Sequence, residues 1–485
     1  MRKINFLAIL LGGLMSAQTT FTLVKDILPG VQNSSPSNFT IYNGKLYFSA
    51  SSTVNGTSIG AELWESDGTE AGTKLVSDIV PGSSSSSPGN LFTFNNKIYF
   101  SGTLPIDGTN TSGVLMSYDE TDGVKLISTV SKFANNLTNF NNRLYYKATN
   151  TAVTPNTQRL FYLNSAGQAV NADDNLNVTN IGLGSNKILA NAQYANSSTP
   201  FLTQLFGFDG TATSLVKIVN PSTSSFPQYI TYSPALGKTL FNANGGNGGE
   251  PWITDGTEAG TVLLKDINVT NGTSGSNPNN FTEFKGKVYF TASDGLTSGT
   301  ELWVTDGTEA GTKMFIDLVA GTFGSNPEKL VVVKDKLYFY ATNSSNIKQI
   351  WESDGTEAGT KALATVSSSS SLVSYNDKLY AVARLSSTDA IGTELYKVNL
   401  PEESLAVSSE KNDAASIYPN PSKGEIFVTK VKAGSFELSD MTGRIVKKSS
   451  FSNSKIVTNV SAGTYLLKVM SDDSKNNFVT KIIIK

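Results

Sequence analysis

The sequence predicts an all-β chain: an eight-bladed β-propeller followed by a small C-terminal β-sandwich, with seven blades as the alternative count. The segment Asp-Gly-Thr-Glu-Ala-Gly occurs four times, each time shortly after one of the four tryptophans. A pattern of four short strands recurs about every 47 residues, the size of one propeller blade. The stretch Thr20–Gly30 closely matches Thr73–Gly82 and supplies the strand that the last unit lacks.

The type unit is the stretch from Asn38 to Gly82. Alternating apolar and polar residues predict strands at 38–42, 45–50, 61–65 and 74–79. The Asn43-Gly44 pair is a hairpin signal, and Asp67-Gly68 opens the next turn. A lone sheet of this size exposes two apolar faces, so neighbouring units are expected to pack face to face.

The number of repeats can be read from the second strand of the unit. It recurs eight times, at residues 46–48, 98–100, 144–146, 188–190, 239–241, 288–290, 337–339 and 379–381. The eighth unit has only three strands before Pro401. We therefore expect the N-terminal strand to complete the last blade and close a ring over residues 18–400, since an open array would need polar caps at both ends.

The repeated turn has a structural explanation. The first Gly of the motif can adopt positive φ, the Asp carboxylate can accept a backbone N–H two residues on, and Gly72 offers a second positive-φ position. Calcium is the alternative, because Asp67 and Glu70 are hard oxygen donors, although their spacing is not that of known calcium loops. We expect no cofactor. The repeated positions are Trp64, Asp67, Gly68, Trp252, Asp255, Gly256, Trp303, Asp306, Gly307, Trp351, Asp354 and Gly355.

Composition narrows the possible chemistry. The chain has no cysteine and no histidine, which removes disulfides, thiolate metal sites and a Ser-His-Asp triad. The net charge of −2 provides no basic field for nucleic acid. No catalytic residues are predicted, and we expect the protein not to be an enzyme.

The N-terminus has the pattern of an export signal. Arg2 and Lys3 precede an apolar stretch from Ile4 to Met15, and cleavage after Ala17 gives a signal peptide of residues 1–17. The apolar stretch is shorter than the roughly 20 residues that a spanning helix requires. No later segment is long and apolar enough either, so we expect no transmembrane span in the mature protein.

Residues 401–415 form a polar linker, and residues 416–485 form a separate basic segment. Its short strands predict a β-sandwich of at most seven strands, with tight turns at Thr442-Gly443 and Ala462-Gly463. The notable motifs of this segment are a Tyr-Pro-Asn-Pro start, an Asp-Met-Thr-Gly-Arg turn and a Gly-x-Tyr strand. Their key residues are Tyr418, Pro419, Asn420, Pro421, Gly443, Gly463 and Tyr465.

Two resemblances follow from these motifs. The segments Glu62–Thr69 and Glu301–Thr308 resemble the ELWxxDGT repeat of exported bacterial proteins, a family that implies export but no reaction. Residues 416–485 resemble the type A sorting domain of the type IX secretion system of Bacteroidetes. This second resemblance implies passage through the periplasm, contact with the type IX secretion machinery, and release or attachment at the cell surface.

The function expected from the sequence is binding or adhesion outside the cell, with the propeller as the interaction platform for a glycan or a protein. One alternative is an enzyme acting on polysaccharide, which needs either paired carboxylates about 5–9 Å apart or a lysine or tyrosine base near an arginine. Another is a surface scaffold that binds no ligand. A cluster of unpaired Asp, Glu, Arg or Tyr side chains in the channel would favour catalysis, and exposed aromatic residues on one rim would favour glycan binding.

Overall fold

The computed structural model describes residues 18–54, 56–195, 202–270, 274–400, 417–418, 422–429, 431–440, 443–472 and 478–485. All regular structure in these ranges is β-strand, and none of it is a helix that could cross a membrane. The chain divides into two compact units, Thr19–Asn399 and a unit that includes Leu400–Lys485. The predicted signal peptide (1–17), the linker (401–415) and Pro419 to Pro421 lie outside the described residues.

In the described residues of Thr19–Asn399 there are eight four-stranded sheets, and every pair of neighbouring strands within a sheet is antiparallel. Seven of the sheets are built from four consecutive strands. The eighth consists of β30, β31 and β32 with β1 at its edge.

Sheet 1 contains β2 (Ser37–Tyr42), β3 (Lys45–Val54), β4 (Thr57–Ser66) and β5 (Lys74–Ser77), and sheet 2 contains β6 (Gly89–Phe94), β7 (Lys97–Ile106), β8 (Thr109–Asp119) and β9 (Gly123–Ser128). Sheet 3 contains β10 (Ser131–Phe140), β11 (Arg143–Asn150), β12 (Thr157–Leu163) and β13 (Ala169–Asn171), and sheet 4 contains β14 (Leu176–Leu183), β15 (Ile188–Tyr194), β16 (Gln204–Phe208) and β17 (Thr213–Lys217).

Sheet 5 contains β18 (Gln228–Ser233), β19 (Lys238–Asn244), β20 (Gly249–Thr254) and β21 (Val262–Leu263), and sheet 6 contains β22 (Asn279–Phe284), β23 (Lys287–Ser293), β24 (Thr300–Thr305) and β25 (Lys313–Ile316). Sheet 7 contains β26 (Glu328–Val333), β27 (Lys336–Thr342), β28 (Lys348–Ser353) and β29 (Lys361–Thr365), and sheet 8 contains β30 (Ser368–Tyr375), β31 (Lys378–Arg384), β32 (Glu394–Asn399) and β1 (Thr20–Lys25).

The second and third strands of each sheet carry the packing. In β3 the run from Leu46 to Ala50 is buried on both faces of the strand. Apolar side chains of successive sheets share a core: Tyr47 and Leu63 of sheet 1 pack in one cluster with Phe100 and Met116 of sheet 2. Burying both faces in this way is what a lone four-stranded sheet cannot do for itself.

The first and last sheets also contact each other. The strand β1 pairs with β32, with Phe21 opposite Val398 and Leu23 opposite Tyr396. Phe48 and Trp64 of sheet 1 share a core cluster with Tyr380 of sheet 8. The first strands contact one another in chain order from β2 to β30, and β30 contacts β2.

The described part of the C-terminal unit has two sheets around one core. One contains β33 (Ile417–Tyr418), β34 (Glu425–Val428) and β37 (Lys455–Val457); the other contains β36 (Ile445–Phe451), β35 (Gly434–Asp440), β38 (Gly463–Ser471) and β39 (Phe478–Ile484). Ile426 and Ile456 of the first sheet pack with Phe436 and Leu467 of the second.

One predicted turn of this unit is wrong. Gly463 is the first residue of β38 and pairs with Ile484, so it belongs to the ladder. A Cβ at this position would lie 3.3 Å from the Tyr465 ring, so close packing against that ring explains the glycine.

Candidate functional site

The first strand of every sheet in the N-terminal unit carries a bulge where its pairing with the second strand shifts register. In six sheets a residue at the bulge has a left-handed backbone, with φ between 50° and 57°. Asparagine tolerates this conformation better than most residues, which explains its frequency here. The six residues are Asn38, Asn90, Asn136, Tyr229, Asn280 and Lys329.

A cavity of about 720 Å³ lies among these first strands. Its walls come from β6, β10, β14, β18 and β22, with one residue from β11. Amide and hydroxyl groups dominate the lining. The lining residues are Asn90, Asn135, Asn136, Lys147, Thr179, Asn180, Ile181, Tyr229, Ile230, Thr231, Asn280 and Phe281.

Tyr229 is the first departure from the repeat in this cavity. It occupies the left-handed bulge position with φ 53°, where Asn38, Asn90 and Asn280 stand in other sheets. A bulky residue is less stable in this conformation than asparagine, so the backbone conformation does not explain why a tyrosine occupies the position. Its side chain is half exposed and lines the cavity.

Two more exposed aromatic residues lie three positions before the bulge. Phe133 and Phe226 are 55% and 54% exposed, and both have a left-handed backbone. Serine or asparagine takes the equivalent position in other sheets, as at Ser35 and Asn277. The entry to the first strands of sheets 3 and 5 therefore displays aromatic rings that sequence reasoning did not single out.

Lys147 is the second departure within the cavity. It lies on β11 opposite Asn135, next to the bulge of sheet 3. Its ammonium group donates a hydrogen bond to the Gln158 side-chain oxygen at 3.3 Å, and no salt bridge to it occurs among the described residues. Burial lowers the pKa of Lys147 below its ordinary value of 10.5.

The repeated turns lie elsewhere, at the connection between the third and fourth strands. Asp67 Oδ1 accepts hydrogen bonds from the Thr69 N–H at 2.9 Å and the Thr69 hydroxyl at 2.7 Å. The hydroxyl and backbone N–H bonds lower the pKa of Asp67. Asp255, Asp306 and Asp354 accept the same two bonds in their own turns. These carboxylates are occupied within the turn, which is the structural explanation of the motif.

The two glycines of the turn are required for different reasons. Gly68, Gly256, Gly307 and Gly355 have positive φ, between 88° and 91°. The expected positive φ at Gly72 is wrong, because Gly72 is not among the left-handed residues. A Cβ on Gly72 would lie 2.0 Å from Asp67 Oδ1, so any larger residue would have to displace the side chain of the motif's own aspartate.

The four tryptophans pack in the apolar clusters between sheets. Trp64 lies in the core between sheets 1 and 8, Trp252 and Trp303 lie in buried clusters, and Trp351 packs at the edge of another. Their register is the same in all four sheets, where they pair with Phe48, Phe241, Phe290 and Phe339. They form part of the packing between sheets and do not line the cavity.

Sequence reasoning missed a buried carboxyl two residues before three of the tryptophans. Glu301 accepts hydrogen bonds from the N–H groups of Leu318, Val319 and Ser325 and from the Ser325 hydroxyl. It thus fixes the segment that leads to the next sheet. Glu62, Glu250 and Glu394 do the same, and Gln204 replaces the carboxyl in sheet 4. The recurrence of Glu or Gln at this spacing was the available signal.

In the C-terminal unit the motif residues occupy different places. Tyr418 is exposed and stacks on Phe427 with ring centroids 5.6 Å apart. Gly443 has φ 87° in the turn that Asp440 closes, where Gly443 N–H donates to the Asp440 carbonyl. The Tyr465 hydroxyl donates to the Ser461 carbonyl at 2.8 Å. These contacts shape the two-sheet unit.

Residues 416–485 match the family described as the secretion system C-terminal sorting domain. This segment is a type IX sorting domain. The protein is therefore exported by the type IX secretion system to the cell surface or the extracellular space, and its sorting domain engages the secretion machinery. Bacteroidetes-type secretion was the route that the motifs of the sorting domain implied.

The other comparisons are weaker, and no curated protein matches the chain. A prolyl endopeptidase structure has 11% identity and a TM-score of 0.46, covering 91% of this chain and 55% of its own. The β-propeller domain of the Trilobed protease from Pyrococcus furiosus has 10% identity and a TM-score of 0.39, covering 71% and 99%. Porphyromonas gingivalis dipeptidyl peptidase 4 has 8% identity and a TM-score of 0.45, covering 72% and 57%. This chain spans about 55–61% of the first three solved structures it resembles.

Proposed function

We propose that residues 19–399 form a closed eight-bladed β-propeller that binds carbohydrate in its central channel, outside the cell and without catalysis. The count of eight rather than seven blades is supported by the eight four-stranded sheets of this unit. Closure is supported by the pairing of β1 with β32 and by the contact between β30 and β2.

Side chains at the junction add to this support. The Tyr375 hydroxyl of sheet 8 donates to the Gly44 carbonyl of sheet 1 at 2.6 Å. Glu394 of β32 accepts hydrogen bonds from the N–H groups of Ile27 and Ser34, more than 350 residues away in sequence. The same carboxyl contact joins consecutive sheets elsewhere, so the junction is built like the internal ones.

The observation that carries the binding function is Tyr229 among asparagines in the cavity. A sugar offers hydroxyl groups at its edge and an apolar face of C–H groups. Side-chain amides donate and accept hydrogen bonds together, and an aromatic ring provides a flat apolar surface with a polar tip. Tyr229 beside Asn180 and Asn280 thus provides both kinds of contact in one cavity.

The same lining favours binding over hydrolysis. A glycosidase of the usual kind requires two carboxyl groups about 5–9 Å apart. The described residues around this cavity offer amides, hydroxyls, a phenol and an ammonium group, but no carboxyl group, and no arginine lies in the lining beside Lys147 or Tyr229. We therefore propose recognition without bond cleavage.

A glycan array with purified exported protein tests the proposal, with and without calcium. The variant Tyr229→Asn restores the residue that other sheets carry at the bulge, so the fold is expected to remain intact. We expect the wild type to bind a subset of glycans and the variant to bind them at least tenfold more weakly, because the stacking surface is lost. Urea unfolding of the variant is expected to match or exceed the wild type in stability.

Two results would contradict the proposal. Unchanged glycan binding by Tyr229→Asn would place the site outside the channel, and no binding by the wild type would favour a scaffold. Release of shorter oligosaccharides from a bound glycan would overturn the non-catalytic part.

A further inference from the structure

We propose that the channel selects acidic glycans, and that Lys147 binds the carboxylate or sulfate group of a sugar unit placed against Tyr229. This inference rests on the proposed carbohydrate binding and narrows its ligand class. Its basis is the placement of one lysine in a cavity otherwise lined by neutral side chains.

The position of Lys147 is defined by the repeat. In each sheet one residue of the second strand pairs with the first strand at its bulge. Elsewhere this residue is small, amide-bearing or involved in packing, and only sheet 3 places a charge there. The equivalent residues are Ser49, Ser101, Asn191, Asn242, Thr291, Tyr340 and Val382.

The ladder does not require this charge. Since serine, asparagine and threonine occupy the same register in other sheets, a lysine contributes nothing to pairing that they lack. Its long side chain instead reaches the cavity that Asn136, Thr179 and Tyr229 also line. Two departures from the repeat, one cationic and one aromatic, thus face the same space.

The charge is also poorly compensated. Among the described residues its ammonium group donates only to the neutral Gln158 amide, while other lysines of this unit, such as Lys97 and Lys348, pair with carboxylates. A half-buried ammonium group without a counter-ion has lost part of its hydration and lacks the attraction that would offset this loss. An anionic group entering the cavity would provide that attraction.

A single ammonium group suits a ligand with one anionic group per sugar unit. Surrounding amides can donate further hydrogen bonds to the oxygens of a carboxylate or a sulfate, and charge-assisted hydrogen bonds are stronger than neutral ones. Uronic acids and sulfated sugars both present such a group beside hydroxyls. The shared chemistry is therefore an anionic oxygen cluster fixed to a pyranose ring.

The experiment uses calorimetry with the purified exported protein and matched oligosaccharides. One arm takes a uronic acid oligomer and its carboxyl-reduced neutral counterpart, and a second takes a sulfated oligomer and its desulfated form. Free acetate and sulfate serve as competitors. We expect at least one acidic oligomer to bind about 10- to 100-fold more tightly than its neutral partner, and the free anions to compete weakly.

The variant Lys147→Asn introduces the residue that sheets 4 and 5 carry at the same register position, as Asn191 and Asn242. It is expected to lose the preference and to bind the acidic oligomer and its neutral counterpart with equal affinity. The control Lys378→Asn removes an exposed lysine from the β30–β31 hairpin and is expected to keep the preference. A bound acidic oligomer is also expected to protect Lys147 from an amine-acylating reagent, as measured by peptide mass spectrometry.

The outcomes separate this inference from the function on which it rests. Equal affinity for acidic and neutral oligomers, or an unchanged preference in Lys147→Asn, would overturn acidic selectivity and leave carbohydrate binding in place. Absence of binding by all four oligomers and by the glycan array would overturn both. Strong binding of free sulfate or acetate alone would show an anion site without sugar recognition and would also overturn the inference.

Discussion

At the scale of single residues, the repeated turn shows how one side chain determines its neighbour. Asp67 folds back over its own turn to reach Thr69, and the space its carboxylate takes leaves no room at position 72 for a Cβ. Sequence reasoning identified the aspartate and the first glycine from local turn chemistry. It assigned the wrong cause to Gly72, because a steric overlap between side chains five residues apart is not visible without coordinates.

This steric relationship gives a double-mutant test. The substitution Gly72→Ala is expected to destabilise the unit by about 1–3 kcal/mol, since its methyl group displaces Asp67 from its hydrogen bonds. Urea unfolding measures the change. In an Asp67→Ala background the same glycine substitution is expected to cost much less, because the obstructing carboxylate is gone. Equal costs in both backgrounds would show that the backbone, and not the carboxylate, requires glycine.

At the scale of elements, the buried carboxyl groups join one sheet to the next. Each takes hydrogen bonds from the segment that leaves its own sheet, so the connection and the following first strand are fixed together. Most strands were predictable from alternation and turns. The connections were not, because their order depends on a glutamate that looks like an ordinary strand residue in the sequence. The cavity was missed for the same reason, since its lining comes from five sheets.

The pH dependence of stability tests these connections. Burial raises the pKa of Glu394 to about 7, although its N–H and hydroxyl donors act in the opposite direction. The unfolded state ionises near 4.5, so the folded state keeps a proton that the unfolded state releases between pH 4.5 and 7. The stabilising contribution is complete below pH 4.5 and is lost as pH rises through 7, an effect of about 3 kcal/mol at most.

We expect Glu394→Gln to flatten this part of the stability curve, because an amide does not titrate. Gln204 already makes equivalent hydrogen bonds in sheet 4, so the variant is expected to fold. Urea unfolding at pH 4.5 and pH 7 gives the comparison, with Glu70→Gln in an exposed turn as the control. If the free energy of unfolding of Glu394→Gln falls with pH as steeply as that of the wild type, the assignment of the proton to this carboxyl is contradicted.

At the scale of the whole molecule, the pairing of β1 with β32 joins residues as far as 379 positions apart in sequence. The match between Thr20–Gly30 and Thr73–Gly82 indicated this pairing before any coordinates, because a displaced strand keeps the pattern of the unit it completes. Fold class was predictable on this scale since repetition multiplies weak local signals. Ligand class was not, because it depends on the few positions where the repeat is broken.

Because the chain contains no cysteine, an engineered disulfide can test this pairing without competing thiols. Thr22 and Lys397 are register partners of β1 and β32. The double variant Thr22→Cys, Lys397→Cys is expected to oxidise within one chain and to raise the free energy of unfolding, by about 5 kcal/mol at most. Electrophoretic mobility and urea unfolding with and without reductant provide the measurements.

A mismatched pair provides the control for that experiment. Thr22→Cys with Lys313→Cys places the second thiol on β25 of sheet 6 and is expected to remain reduced. Efficient intramolecular oxidation of this pair, or none in the matched pair, would contradict the placement of β1 beside β32.

The location of β1 has a consequence for biosynthesis. A chain emerges from the ribosome, and crosses a membrane, beginning at its N-terminus. The opening strand therefore waits for partners that arrive more than 370 positions later, while its backbone N–H and C=O groups remain unpaired. A polypeptide truncated before Glu394 would never supply that partner, so only a product that extends past β32 could complete this unit, and shorter fragments would stay recognisable to proteases.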